Sequence, residues 1–327
     1  MDDAVDRFVA LVPMDAQGLP ARLAPLPVPG RRPATVVAAP PESGPGNWAG
    51  SPSVALHDGV VYLAYRMRRP EALGRGGFIV LARSADGERF ETIGLLPKEQ
   101  FGAMSLERPA LLRTPEGRWL LYVSAASPGS KHWRVDLLEA DDPAGLADAP
   151  ARTVLPGDER TGVKDPVIRW TGAGWEGWIC CHPLDRPGAE DRMVTRYATS
   201  PDGVDWTWRG TALAPRPGEW DSRGARVTAV LTDLPGPVAY YDGRATAEEN
   251  WEERTGLAVP AAGGAADGRL DRLEAVGRRP VAASEAGTGL RYLDLLAPPG
   301  GGLRLYYEAS RPDRTHELRT EFVRPVP

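Results

Sequence analysis

Asp165, in Lys164-Asp165-Pro166-Val167-Ile168, heads an apolar run, where a charge without a task is costly to bury. Two further carboxylates have comparable settings: Glu107 in Glu107-Arg108-Pro109, and Asp221 in Trp220-Asp221-Ser222-Arg223. Carboxyl groups brought together in one site do general acid and base work when their surroundings push their pKa values apart. Cations accompany them. Arg108, Arg226 and Arg244, with Lys164, would receive a carboxylate or phosphate, the arginines bidentately. His182 is a candidate acid–base group, whereas His57, His132 and His316 read as surface residues.

A repeat positions these residues. Pro52, Pro109 and Pro166 lie 57 residues apart, twice, and each opens a strand-like run. Each run meets a turn and then a second run: Val61 to Tyr65, Trp119 to Val123, Trp175 to Ile179. Looser copies lead from Arg226 into Val238 to Tyr241, and from Tyr292 into Leu303 to Tyr307. Ser84-Ala85-Asp86-Gly87 and Ser200-Pro201-Asp202-Gly203 lie 116 residues apart, about two repeats, with Ala266-Asp267-Gly268 a weaker copy. Asp-Gly is a strong hairpin signal. Helical periodicity is confined to short pieces at 2–10 and 245–254. The pattern predicts an all-β fold, a five-bladed β-propeller with four antiparallel strands per blade. A sandwich with chance prolines leaves the equal spacing unexplained. The blades fall near 45–100, 101–158, 159–217, 218–276 and 277–327. Residues 1–44, rich in Pro and Ala, would wrap the surface or lend a closing strand to the last blade.

In a propeller the first strand of each blade lines the axis. Ser51, Arg108, Asp165, Arg226 and Tyr292 therefore align as a ring at the mouth of a funnel, preceded by Gly50, Glu107, Lys164, Ala225 and Arg291. Second strands end near Arg66, Ser124, His182, Asp242 and Glu308, adding to a polar, mixed-charge hub.

Composition narrows the function classes. A net charge of −5 over 327 residues offers no basic face to a nucleic-acid backbone. The start Met1-Asp2-Asp3-Ala4 is acidic and lacks the apolar core of a signal peptide, and the longest apolar stretch, near Trp119 to Ala126, is too short for a bilayer. Cys180 and Cys181 are adjacent, which disfavours a disulfide between them, and no Cys/His spacing suggests zinc. The expectation is a cytoplasmic protein with reduced thiols, no required cofactor or metal, no membrane or nucleic-acid partner, and a small-molecule or oligosaccharide ligand.

Ser51-Pro52-Ser53-Val54, Lys164-Asp165-Pro166-Val167-Ile168, the Ser-x-Asp-Gly turns and Tyr241-Asp242-Gly243-Arg244 resemble the five-bladed propeller glycoside hydrolases, the superfamily that includes families 43, 32, 68, 117 and 130. The resemblance covers about residues 45–327. It implies cleavage of glycosidic bonds by axial carboxylates: a base or nucleophile from the first blade, an Asp-Pro at the third blade that binds sugar and tunes pKa, and an acid at the fourth. Asp165 matches the middle role. Ser51 stands where the first aspartate would be, and Arg226 near the expected acid. Neither can do the work of a carboxyl group in that mechanism. The first reading is a carbohydrate-active enzyme of glycosidase or phosphorylase type in which the roles have moved to Glu107 and Asp221 as acid and base, with Asp165 orienting the substrate and Asp242 and Glu308 near the rim; the alternatives are other chemistry on a small polar, sugar-like molecule, or a propeller that only binds sugar. The interruption Arg244 to Arg254 would project over the axis as a helical turn or lid, placing Asn250, Trp251 and Glu252 against a ligand. Trp48 and Trp220, just before inner strands, offer flat faces that suit sugar rings.

Overall fold

The computed structural model describes residues 26–232, 236–261, 270–285 and 288–324. A short strand β1 (Thr35–Ala38) precedes four four-stranded units and a fifth of three strands that β1 completes. Blade 1 is β2 (Trp48–His57), β3 (Val60–Arg68), β4 (Gly76–Ser84) and β5 (Glu91–Pro97); blade 2 is β6 (Leu106–Arg113), β7 (Trp119–Ala126), β8 (Trp133–Ala140) and β9 (Arg152–Leu155). Blade 3 is β10 (Thr161–Trp170), β11 (Trp175–Pro183), β12 (Val194–Ser200) and β13 (Thr207–Leu213); blade 4 is β14 (Gly224–Leu231), β15 (Val238–Arg244), β16 (Arg254–Pro260) and β17 (Leu273–Val276). Blade 5 is β18 (Leu290–Leu296), β19 (Leu303–Ser310) and β20 (His316–Val323), with β1 pairing antiparallel to β20 as its outer strand. Blades 5 and 1 meet through one parallel pair, Trp48 opposite His316. Five apolar clusters fill the five seams between neighbouring blades. The fold is thus the five-bladed propeller that the repeat predicts.

The prolines mark a shared irregularity. Every inner strand slips register against its partner at one place: Gly50/Ser53, Leu106/Pro109, Lys164/Val167, Val227/Ala229 and Arg291/Asp294. Ser51, Asp165 and Tyr292 sit on these bulges with φ of 54°, 51° and 55°, a conformation costly for residues with a Cβ. A bulge leaves a residue unpaired and re-aims its side chain, so a proline that lacks an N–H is tolerated beside it. This is why Asp165-Pro166 heads an otherwise apolar strand.

The Asp-Gly turns tie blades together. Ser84 Oγ accepts from Gly87 N at 2.8 Å, and Asp86 Oδ1 accepts from Glu88 N and Arg89 N at 2.9 Å. Ser200 and Asp202 repeat the pattern with Gly203, Val204 and Asp205. The buried carbonyls of Gly87 and Gly203 then accept from the Tyr306 and Tyr122 hydroxyls of the preceding blades, at 2.8 and 2.7 Å.

Among the described residues there is no α-helix. The 245–254 segment makes separate turns, Asn250 N to Ala247 O and Glu252 N to Glu249 O, and Trp251 turns left-handed at φ 77°. That left-handed residue ends any helical continuation, which corrects the periodicity reading there. The 2–10 piece and the Ala266-Asp267-Gly268 turn lie outside the described residues.

Candidate functional site

The hub is a network of arginines and carboxylates. Arg66, from the end of β3, bonds Glu107 and, at 2.8 Å, Glu308 Oε2. Glu308 Oε1 accepts from Arg291 Nε and Nη2 at 2.9 and 2.7 Å, and Arg291 Nη1 donates to Glu253 Oε2 at 2.7 Å. Glu253 also pairs with Arg244, which holds Asn250 Oδ1 at 2.8 Å and the Asp191 backbone carbonyl. Arg226 donates from Nη1 to Asp165 Oδ2 and to the Tyr292 hydroxyl, both at 2.9 Å, and from Nη2 to Asp242 Oδ2 at 2.7 Å. The Tyr292 ring lies 3.9, 5.0 and 5.8 Å from the Arg226, Arg291 and Arg66 guanidinium carbons, a cation–π stack in a desolvated setting.

These groups are sealed. Asp165, Asp242 and Glu308 are fully buried, and Glu107 and Glu253 nearly so. Burial alone would raise the glutamates, but Arg66 beside Glu107, and Arg291 beside Glu253 and Glu308, hold all three well below the usual range. Burial pushes Asp242 up to about 6 against the pull of Arg226, so it is ionised at neutral pH. Asp165 Oδ1 and Arg108 Nε and Nη1 have no hydrogen-bond partner among the described residues; Arg108 instead donates from Nη2 to Thr228 O at 2.7 Å. Gly50 is forced by the same packing, because a Cβ there would stand 2.1 Å from Glu308 Oε2. Gly50→Ala should therefore displace Glu308 from its arginines and cost about 1–3 kcal/mol. A lowered midpoint of thermal unfolding would register it, and an unchanged midpoint would refute the tight fit.

Above the hub opens a cleft of about 520 Å³, lined by Glu107, Lys164, His182, Asp191, Trp133, Asn250 and Trp251 among others. Lys164 Nζ is 3.6 Å from Asp165 Oδ2 and 4.8 Å from the Trp133 ring centroid. His182 Nδ1 faces the Glu190 carbonyl at 2.8 Å, and Nε2 lies 3.6 Å from Cys180 Sγ. Burial, then Lys164, lowers His182 well below its ordinary value, so it is neutral at pH 7. Burial raises both thiols, Cys181 to about 12, which leaves neither an activated nucleophile. Among the described residues no cluster of His, Cys, Asp or Glu is arranged to hold a metal ion.

The hub gathers Glu107, Asp165, Arg226, Asp242, Arg244 and Tyr292, with Ser51 Oγ 3.5 Å from Glu308 Oε2 and Trp48 stacked on His316. Arg108 lies deeper on the axis. Arg226 and Arg244, read from sequence as receptors for a ligand anion, spend their donors on internal carboxylates. Asp221 stands elsewhere: it bonds Arg216 at 2.9 Å and the Tyr241 hydroxyl at 2.7 Å, and Arg216 continues to the Gly277 carbonyl beyond the outer strand β17. His316 is a correction. It is 1% exposed, between Glu308 Oε1 at 2.6 Å and Glu252 Oε1 at 3.3 Å. Its turn, Asp313-Arg314-Thr315, reads as surface, but the parallel junction with Trp48 carries it inward. Arg68, Glu253 and Asp191 were not signalled. Glu253 lies within a run of glutamates that reads as a solvated face, and only its place just before β16 distinguishes it.

Solved structures share this architecture. A thermostable family-43 glycoside hydrolase superposes with a TM-score of 0.66 at 14% identity, over 88% of this chain and 92% of that one. An α-L-arabinofuranosidase from Lactobacillus brevis gives 0.63 at 16%, over 85% and 95%. The fold is that of the propeller glycoside hydrolases. The β-1,2-mannobiose phosphorylase of Listeria innocua shares it too, at a TM-score of 0.58 and 16% identity over 90% and 92%. No protein-family model and no curated protein sequence matches the chain. No described helix is long and apolar enough to cross a membrane.

Proposed function

We propose that this chain binds a carbohydrate in the axial cleft without hydrolysing it. The state of the hub carboxylates carries this reading. Glu107, Asp165, Asp242, Glu253 and Glu308 all pair with arginine, and of the five only Glu107 lines the open cleft. A glycosidase needs one carboxyl group kept protonated for the leaving oxygen and a second carboxylate about 5–10 Å away. Arg66 and Arg68 keep Glu107 ionised, Arg223 and Arg244 do the same for Asp191, and Asp242, the hub carboxyl pushed upward, is walled off. Binding requires less. Trp251, 40% exposed, and Trp133 supply flat apolar faces. Glu107, Lys164 and Asn250 supply polar contacts, and the fold's neighbours act on sugars.

Hydrolysis or phosphorolysis is the second reading, favoured by Glu107, Lys164 and His182 facing one cleft. A panel of chromogenic arabinosides, xylosides, galactosides and mannosides, with and without phosphate, separates the two. The expected result is no turnover above buffer, together with saturable quenching of tryptophan fluorescence that weakens about tenfold in Trp251→Ala. Turnover abolished by Glu107→Gln or Lys164→Gln would overturn the binding reading in favour of the second.

A further inference from the structure

The axial cleft does not stop at the hub. A hollow of about 370 Å³ adjoins it, and a third of about 220 Å³ adjoins that one, beside the ends of β3 and β5. Arg75 lines all three, Lys98 the outer two, and Met104 and Lys131 the inner two. They form one trough running outward over blades 1 and 2.

Charge changes along it. Four carboxylates line the axial part, Glu71, Glu107, Glu190 and Asp191, against Arg75, Lys131 and Lys164. At the outer end Arg68, Arg69, Arg75 and Lys98 line the wall together with one acidic residue, Glu99. That is a cationic terminus on a chain whose net charge is −5.

Its innermost member lacks a counter-charge of its own. Arg68 is 2% exposed, and its ion pair with Glu107, at 3.3 Å, is to a carboxylate that Arg66 also holds. Among the described residues its Nε has no hydrogen-bond partner, and neither has the buried Nε of Arg75, whose ion pair with Glu71 is long at 3.8 Å. Burial, with Arg66 and Arg75 close by, pulls Arg68 down to about 10. By contrast Arg66, Arg226 and Arg291 each bond two carboxylates. Arg68 thus shares one carboxylate with Arg66 and otherwise rests on the Trp48 ring, 4.1 Å from its guanidinium carbon; a buried cation so incompletely paired gains when an anion reaches it, and a guanidinium fork suits the planar or tetrahedral oxygens of a carboxylate or phosphate. Trp251 couples the two ends: its ring lies 5.1 Å from the Arg68 guanidinium carbon and also lines the axial cleft.

We propose that the outer hollow at Arg68, Arg69, Arg75 and Lys98 receives the oxyanion of an acidic oligosaccharide, a uronate carboxylate or a sugar phosphate, while a neighbouring sugar unit occupies the axial cleft. This rests on the carbohydrate-binding reading above and names its ligand class.

The test is calorimetric titration of the full chain with trigalacturonate, a phosphorylated mannobiose and neutral galactotriose, at low and high salt. At least one acidic ligand should bind ten times tighter than the neutral one, an advantage that shrinks as salt screens it. In Arg69→Ala/Lys98→Gln, and separately in Arg75→Gln, that advantage should vanish, so that acidic and neutral ligands bind alike. Whichever acidic ligand shows the advantage distinguishes carboxylate from phosphate. Equal affinity for acidic and neutral ligands in the wild type would overturn this inference and leave the carbohydrate reading standing. An advantage that survives both variants would overturn the placement. Failure of every sugar to bind would overturn both.

Discussion

Arg226→Ala should destabilise the protein by about 3–5 kcal/mol, the cost of leaving buried charges without their guanidinium partner. Arg226 extends from β14 in blade 4, 1% exposed. It holds Asp165 from blade 3, Asp242 from its own blade and the Tyr292 hydroxyl from blade 5. No other described side chain bonds all three, so its loss leaves Asp242 only the Tyr292 backbone N–H at 3.0 Å, leaves Asp165 only Lys164 at 3.6 Å and the Tyr292 hydroxyl at 3.3 Å, and removes the cation resting on the Tyr292 ring. Arg226→Lys should recover only a fraction, because an ammonium cannot reproduce a fork bonded to two acceptors at once. Arg226→Met combined with Asp165→Asn and Asp242→Asn should recover more, because it removes the two carboxylate charges along with their partner. Chemical-denaturation midpoints measure all three. A loss below about 1 kcal/mol for Arg226→Ala would show that the hub does not depend on this residue.

The same residue shows what could be read in advance. A propeller imposes a fixed period on its chain, and the Pro52, Pro109 and Pro166 spacing displayed it because the bulge beside each proline recurs at one depth on the axis. Ring positions followed from that period, so Ser51, Arg108, Asp165, Arg226 and Tyr292 could be set side by side before any coordinates. The same period set the second-strand ends Arg66, Asp242 and Glu308 beside that ring, but not who bonds whom. Arg66 and Glu308 are 242 residues apart and Arg66 and Glu107 are 41 apart, and nothing local in Tyr65-Arg66-Met67 says that Arg66 is fully enclosed and joins both carboxylates. Asp165 read as a tuner of catalysis because its Lys-Asp-Pro setting is kept, whereas its ionic partner, Arg226, stands close to where the resemblance expects an acid. With a cation at that position, Asp165 and Asp242 are both paired to Arg226, and the binding reading proposed above rests on that pairing.

That balance predicts a steep loss of stability in acid. Arginines hold Glu107, Glu253 and Glu308 below the ordinary carboxylate range in the folded state, against the desolvation that would raise them. A carboxylate depressed by folding adds stability above its unfolded pKa, near 4.3, and that contribution disappears as pH falls toward the folded value. Each such group adds up to about 1.4 kcal/mol per pH unit to the slope, so the three together approach about 4 kcal/mol per unit below pH 4. Asp242 acts with the opposite sign. Its folded value, about 6, lies above its unfolded one; its contribution is complete below about pH 4 and is lost as pH rises through 6. Stability should therefore peak near pH 5, decline gently toward neutrality and collapse below pH 4. Denaturant midpoints at pH 3.5, 5 and 7 would trace this curve. A midpoint at pH 3.5 equal to that at pH 5 would mean that the glutamates are not held ionised by their arginines, and the hub would then have to be understood as a set of neutral hydrogen bonds.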